Sequence, residues 1–135
     1  MQFRVQNLTV HKFGGASVKD AAAVRNVESI LQKCLVSPAV VVVSAMGKTT
    51  NKLEQVFSTL VSDGFDKSLE ELNEIVVAHQ KVIDALSIEL DLRELFVTAL
   101  KNSSQLDDIN AAYDELVASG EDASTKILFA YLDSN

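Results

Sequence analysis

The feature that most constrains the fold is a continuous apolar run over residues 40–43, preceded by Pro38 and followed by a turn of small residues that starts at Ser44. Such runs, without polar alternation, are typical of strands that are buried on both faces of a parallel sheet. A shorter apolar segment lies at residues 8–13, and a helical pattern separates the two. This order predicts a βαβ unit, which joins parallel strands and is normally right-handed.

Most of the remaining sequence has helical periodicity. The first helix is predicted to begin near Asp20, which like Ser17 is a suitable N-cap residue, and to end before Pro38. Beyond the second strand, apolar residues recur every three or four positions, which predicts helices over residues 53–61, 69–86, 92–100, 106–117 and 123–132. Two parallel strands alone do not make a stable open sheet. We therefore expect residues 1–135 to be the N-terminal portion of a larger α/β domain.

Composition excludes several function classes. The 12 basic and 19 acidic residues give a net charge of −7, whereas nonspecific nucleic-acid binding needs a basic surface. Apolar runs stay well below the ~20 residues that a membrane-spanning helix requires, and residues 1–7 lack the features of a signal peptide. The only cysteine, Cys34, is expected on the apolar face of the first helix and cannot form an internal disulfide. These observations predict a cytoplasmic protein that binds neither nucleic acid nor membranes.

The turn after the first strand has the composition of a phosphate site. Gly14 and Gly15 permit a tight turn whose backbone N–H groups face an anion. The N-terminus of the next helix and Lys12 would add positive charge. A plain strand-to-helix turn with a surface lysine explains the same residues equally well.

Two other possible sites are not supported by their spacing. Gly47-Lys48 suggests a P-loop, but that motif needs glycine where this chain has Val42. His79 lies in the long predicted helix, with no acidic residue three or four positions away and no second histidine near it. We therefore predict no metal site and expect His79 to be structural or solvent-facing.

Three segments together resemble the N-terminal part of aspartate kinases, in the amino-acid kinase family. They are KFGGASV at residues 12–18, VVVSAMGKTTNKL at residues 41–53 and SGEDAS at residues 119–124, in the family's order. The resemblance implies a three-layer α/β fold of the amino-acid kinase (carbamate kinase-like) type. In this part of the chain, that fold would be helix-rich with two parallel strands.

On the nucleotide side, the resemblance implies that Lys12 is catalytic and neutralises charge on the transferring phosphoryl group. It implies that Lys12, Phe13, Gly14 and Gly15 bind the phosphates of ATP. We also expect a lysine at the end of a buried strand to need an anion beside its ammonium group.

On the acceptor side, the resemblance assigns Ser44, Thr50 and Glu121 to L-aspartate. Thr50 would lie near a substrate carboxylate, and Glu121 would accept the α-amino group. The alternatives are local capping of the helix at Lys52 by Thr50 and a favourable interaction of Glu121 with a helix dipole.

The implied activity is ATP-dependent phosphorylation of the β-carboxylate of L-aspartate, which leads to lysine, threonine and methionine. Mg²⁺ is implied by the chemistry, but none of its ligands can be identified in this chain. We expect this portion alone to be inactive and to self-associate as a homo-oligomer through exposed strand edges and apolar faces. The alternatives are another amino-acid kinase and a non-catalytic helical module that binds an anion or a protein.

Overall fold

The structure, a computed structural model, describes residues 8–34 and 38–134. The segment examined for a signal peptide lies outside these residues. Leu35 and Ser37, near the predicted end of the first helix, lie outside them too. Within the described ranges, no helix is both long enough and apolar enough to cross a membrane.

The chain folds into two parallel strands and six α-helices within the described residues. In chain order these are β1 (Thr9–Phe13), a short 3₁₀ helix (Gly15–Val18), α1 (Ala21–Cys34), β2 (Ala39–Val43), α2 (Thr49–Asp63), α3 (Phe65–Ala85), α4 (Arg93–Gln105), α5 (Ile109–Val117) and α6 (Ser119–Ser134). The strands pair in register from Thr9 with Ala39 to Phe13 with Val43. The helix-rich α/β fold predicted from the sequence is confirmed.

Capping side chains determine where two of the helices begin. The carboxylate of Asp20 accepts a hydrogen bond from the backbone N–H of Ala23 at 2.8 Å, as predicted for a cap. Asp108 accepts hydrogen bonds from the N–H groups of Asn110 and Ala111 at 2.8 and 3.0 Å. Helix α5 therefore begins after Asp108 and not at residue 106.

The hydrophobic core lies where the helices pack on each other and on one face of the sheet. Its largest fully buried side chains include Leu31 of α1, Leu53 of α2, Leu72 of α3, Phe96 of α4, Leu116 of α5 and Ile127 of α6. Every helix thus contributes to one core, with Phe13 and Val43 at its sheet side.

The other face of the sheet is exposed in the described residues. Val10, Val40 and Val42 are 61%, 44% and 43% exposed, so the prediction of a strand buried on both faces is wrong for this part of the chain. Because side chains alternate along a strand, Lys12 lies on the same face as Val10 and is also exposed. The expectation that Lys12 needs an anion because its ammonium group is buried is therefore wrong.

The expected position of Cys34 is also wrong. The buried residues of α1 are Ala21, Val24, Val27 and Leu31, whereas Cys34 is exposed at the helix end. Cys34 lies at the edge of the apolar stripe, beyond the last turn of α1 that packs on the core.

Candidate active site

The turns that follow β1 and β2 lie side by side because the two strands are parallel and in register. The N–H of Ser44 donates to the carbonyl of Phe13 at 3.0 Å, and the N–H of Gly47 donates to the carbonyl of Gly15 at 3.0 Å. The first two sequence motifs thus form one continuous surface at the carboxyl ends of the strands.

Gly15 allows this contact because it has no side chain. A Cβ atom at this position would lie 2.8 Å from the carbonyl oxygen of Ala45 and 2.9 Å from that of Gly47. At Gly14 a Cβ atom would meet nothing within 4 Å. Packing therefore accounts for Gly15, while the open space beside Gly14 leaves room for a ligand.

The third motif docks against the second turn through the start of α6. A Cβ atom at Gly120 would lie 3.0 Å from the Cβ of Ala45 and 3.2 Å from the Cδ1 of Leu53. The buried hydroxyl of Ser124 donates to the carbonyl of Ser44 at 2.7 Å. The three motifs, distant in sequence, therefore converge on residues 44 and 45.

The predicted ligand-binding side chains differ in how accessible they are. Lys12 and Glu121 are exposed, and Ser44 and Thr50 are half-buried. Phe13 is buried, with its ring in the core, so only its backbone faces the turn. The ammonium of Lys12 and the carboxylate of Glu121 make no ion pair with the described residues. Both charges remain available to a ligand, and their proposed roles stay predictions.

The two threonines at the start of α2 differ in their hydrogen bonds. The hydroxyl of buried Thr49 donates to the carbonyl of Met46 at 2.6 Å and closes the turn. Lys48 occupies the N-cap position, and no side chain caps the helix there. The capping alternative for Thr50 is therefore not observed, and Thr50 is the more available of the two hydroxyls.

His79 of α3 lies close to this turn, a position that the sequence analysis did not assign. It is 3% exposed, its Nδ1 donates to the carbonyl of Ile75 at 2.8 Å, and its ring packs edge-on against Phe96. Burial is the main cause that lowers the pKa of His79. Of the two expected alternatives, the structure selects the structural one. The signal in the sequence was its place on the apolar stripe of α3, four residues after Ile75 and four before Ile83.

No metal centre is associated with these turns in the described ranges. Nowhere in residues 8–34 and 38–134 are three His, Cys, Asp or Glu side chains grouped so that they could hold a metal ion.

Comparison with known proteins identifies the family. The profile of the amino acid kinase family matches residues 7–135. The chain belongs to this family. It is 34% identical over 131 residues to aspartokinase 2, chloroplastic, of Arabidopsis thaliana, and 34% identical over 132 residues to aspartokinase 1, chloroplastic, of the same plant. These matches cover 92% and 93% of this chain.

A solved structure of a family member has the same fold in this region. The structure of E. coli aspartokinase III in complex with aspartate and ADP superposes with a TM-score of 0.73 and 27% sequence identity, over 94% of this chain. The match covers 29% of that chain, and the chain spans 24% and 23% of the two plant relatives. The amino-acid kinase fold expected from the sequence is thus confirmed for a segment that corresponds to about a quarter of an aspartokinase.

Proposed function

We propose that this chain is the substrate-side portion of an aspartate kinase, which transfers the γ-phosphoryl group of ATP to the β-carboxylate of L-aspartate. The products are ADP and 4-phospho-L-aspartate, an intermediate towards lysine, threonine and methionine. The main observation behind the proposal is that the three motifs meet at residues 44 and 45. The hydrogen bond from the hydroxyl of Ser124 to the carbonyl of Ser44 joins the third motif to the second. The resemblance to aspartokinases along 92% of the chain supports the choice of substrate.

The available side chains suit the charges of the two substrates. In the proposed reaction a β-carboxylate oxygen attacks the γ-phosphorus, and the bond from that phosphorus to the ADP oxygen breaks. Such transfers depend mainly on positioning and on stabilisation of charge. The unpaired ammonium of Lys12 would stabilise negative charge on the phosphoryl group. The unpaired carboxylate of Glu121 would hold the α-ammonium group, and Thr50 would donate a hydrogen bond to a carboxylate.

Mg²⁺ would accompany ATP in this reaction and neutralise part of the phosphate charge. At kinase sites Mg²⁺ is usually held by one or two carboxylates together with the substrate phosphates, and the described residues contain no group of three or more His, Cys, Asp or Glu side chains that would mark such a place. We therefore assign no magnesium ligand here.

Direct titration of substrates tests the proposal. L-aspartate and then Mg-ATP are titrated calorimetrically into the chain and into Glu121→Ala, with Asp122→Ala as the matched control, since Asp122 is also an exposed acid in the first turn of α6. Loss of a charged hydrogen bond costs about 1.5–3 kcal/mol. Glu121→Ala should therefore weaken L-aspartate binding about 10- to 140-fold, while Asp122→Ala should leave it nearly unchanged. Equal binding by both variants would contradict the role of Glu121.

The activity itself is tested in the full-length parent protein. A panel of L-aspartate, L-glutamate and N-acetyl-L-glutamate distinguishes an aspartate kinase from another amino-acid kinase. Lys12→Ala should abolish the phosphorylation of L-aspartate, and Lys33→Ala, which removes an exposed lysine of α1, should not. The chain alone is expected to be inactive, so ATP-dependent phosphorylation of aspartate by residues 1–135 would contradict that part of the proposal.

We also propose a cytoplasmic location, based on the free Cys34 thiol, since a reducing compartment keeps cysteines in this form. The two plant relatives are chloroplastic, so fluorescence microscopy of the tagged parent in its own cells would decide between the two compartments.

A further inference from the structure

A small cleft of about 120 Å³ lies beside the second turn, between the start of α2 and the C-terminal half of α3. Lys48 lines it from the turn, Thr49 and Lys52 from α2, His79 from α3 and Lys19 from the segment before α1. None of the residues assigned to ATP or to L-aspartate lines this cleft.

The charge of the cleft is positive, although the chain as a whole carries a net charge of −7. Lys19, Lys48 and Lys52 are exposed and form no ion pair with the described residues. No acidic residue lines the cleft. The carboxylates of Glu71 and Glu74 line a different cleft, which Lys52 also borders. Three unpaired ammonium groups around so small a space favour an anion.

His79 supplies an unsatisfied polar atom at the same place. Because a carbonyl oxygen can only accept, the hydrogen bond to Ile75 shows that Nδ1 carries a proton. Burial and the nearby ammonium of Lys52 both lower the pKa of His79 and favour the neutral ring. Nε2 is then unprotonated. It is buried and has no hydrogen-bond partner among the described residues, which is uncommon for a buried polar atom.

We propose that this cleft binds a small oxyanion, a phosphate or a carboxylate group, between the three lysine side chains and the ring of His79. The anion would give Nε2 a partner, since protonated histidine donates from both nitrogens. It would also contact the turn at Thr49, next to Thr50. The site lies outside the residues of the proposed kinase reaction and does not depend on that reaction being correct.

The proposal couples anion binding to a proton. A bound anion favours the imidazolium form and opposes the effects of burial and of the Lys52 ammonium, which both lower the pKa of His79. It therefore raises the pKa of His79, and by linkage the anion binds more tightly as the pH falls. The protonated form of His79 should bind the anion about tenfold more tightly than the neutral form for each unit by which the anion raises that pKa.

NMR of the imidazole nitrogens tests this directly, because the chain has two histidines and His79→Gln assigns their signals. Inorganic phosphate and malonate are titrated separately, at millimolar concentration, between pH 5.5 and 8. We expect one or both anions to shift the Nε2 signal of His79 and to raise its pKa. A response to phosphate alone identifies a phosphoryl ligand, and a response to malonate alone identifies a carboxylate ligand; each supports the site.

Variants of the exposed lysines provide a second test, which does not depend on whether the chain still folds when buried His79 is replaced. Lys48→Gln and Lys52→Gln should each weaken binding severalfold, whereas Lys101→Gln, which removes an exposed lysine of α4, should not change it. The proposal is wrong if neither anion moves the His79 signal. It is also wrong if the response persists unchanged in the Lys48 and Lys52 variants.

Discussion

Single residues fix how closely the two turns approach each other, and Gly15 is the clearest case. The two oxygens that a Cβ atom would meet, at 2.8 and 2.9 Å, belong to the backbone of Ala45 and Gly47 and cannot rotate away. Gly15→Ala must push the turns apart, and overpacking of this kind typically costs about 1–3 kcal/mol.

Gly14→Ala is the matched control for this prediction. Gly14 has φ −75° and ψ 175°, a conformation that alanine also adopts, and the space around it is open. Urea denaturation followed by circular dichroism should show a loss in the free energy of unfolding for Gly15→Ala and almost none for Gly14→Ala. Equal stability of the two variants would mean that the turns separate at no cost.

The limits of sequence reasoning also appear at the residue scale. The glycine pair was evident from the sequence, but its two members were not distinguishable, because the carbonyl groups next to Gly15 come from a distant turn. For the same reason, the sequence alone does not distinguish a structural His79 from a solvent-facing one. Its position on the apolar stripe of α3 indicated burial, yet the lysines beside it belong to other elements.

At the scale of elements, docking of α6 onto the second turn holds the candidate site together. The buried hydroxyl of Ser124 spans this junction by its hydrogen bond to the carbonyl of Ser44. Ser124→Ala leaves that carbonyl without this partner, and we expect a loss of about 1 kcal/mol in the free energy of unfolding.

Ser104→Ala provides the comparison. The hydroxyl of Ser104 bonds to the carbonyl of Lys101 within the same exposed turn of α4, so its removal affects no junction between elements. Its unfolding free energy should change by less than about 0.5 kcal/mol. If thermal and chemical unfolding show the same change in unfolding free energy for both variants, the hydrogen bond from Ser124 to Ser44 does not stabilise the junction between α6 and the second turn.

The existence of the elements was largely predictable, whereas their junctions were not. Helical periodicity located all six helices, because each has an apolar stripe that the core buries. The start of α5 was misplaced at residue 106, since the apolar pattern includes Leu106 while the cap at Asp108 sets the actual beginning. The contact of α6 with β2 has no signature in periodicity. The resemblance implies only that Ser44, Thr50 and Glu121 bind the same substrate.

At the scale of the whole molecule, the outer face of the sheet exposes apolar side chains that no described residue covers. The apolar run over residues 40–43 shows which side chains prefer burial, but it does not show which atoms cover them. In the structure the helices cover Val41 and Val43, while Val40 and Val42 face outward with Val10. Both strands are also edges of this two-stranded sheet, and exposed edges template pairing with another chain.

We therefore predict that the chain self-associates through this face. Light scattering at micromolar concentration should give a mass above the 14.7 kDa of a single chain. Val40→Lys places a charge in the middle of the face and should raise the apparent dissociation constant about tenfold or more, because association through this face would remove the ammonium group from water. Val61→Lys adds the same charge at an exposed valine of α2 and should leave association unchanged. A monomeric mass for the unmodified chain, or equal weakening by both variants, would show that the exposed valines do not drive assembly.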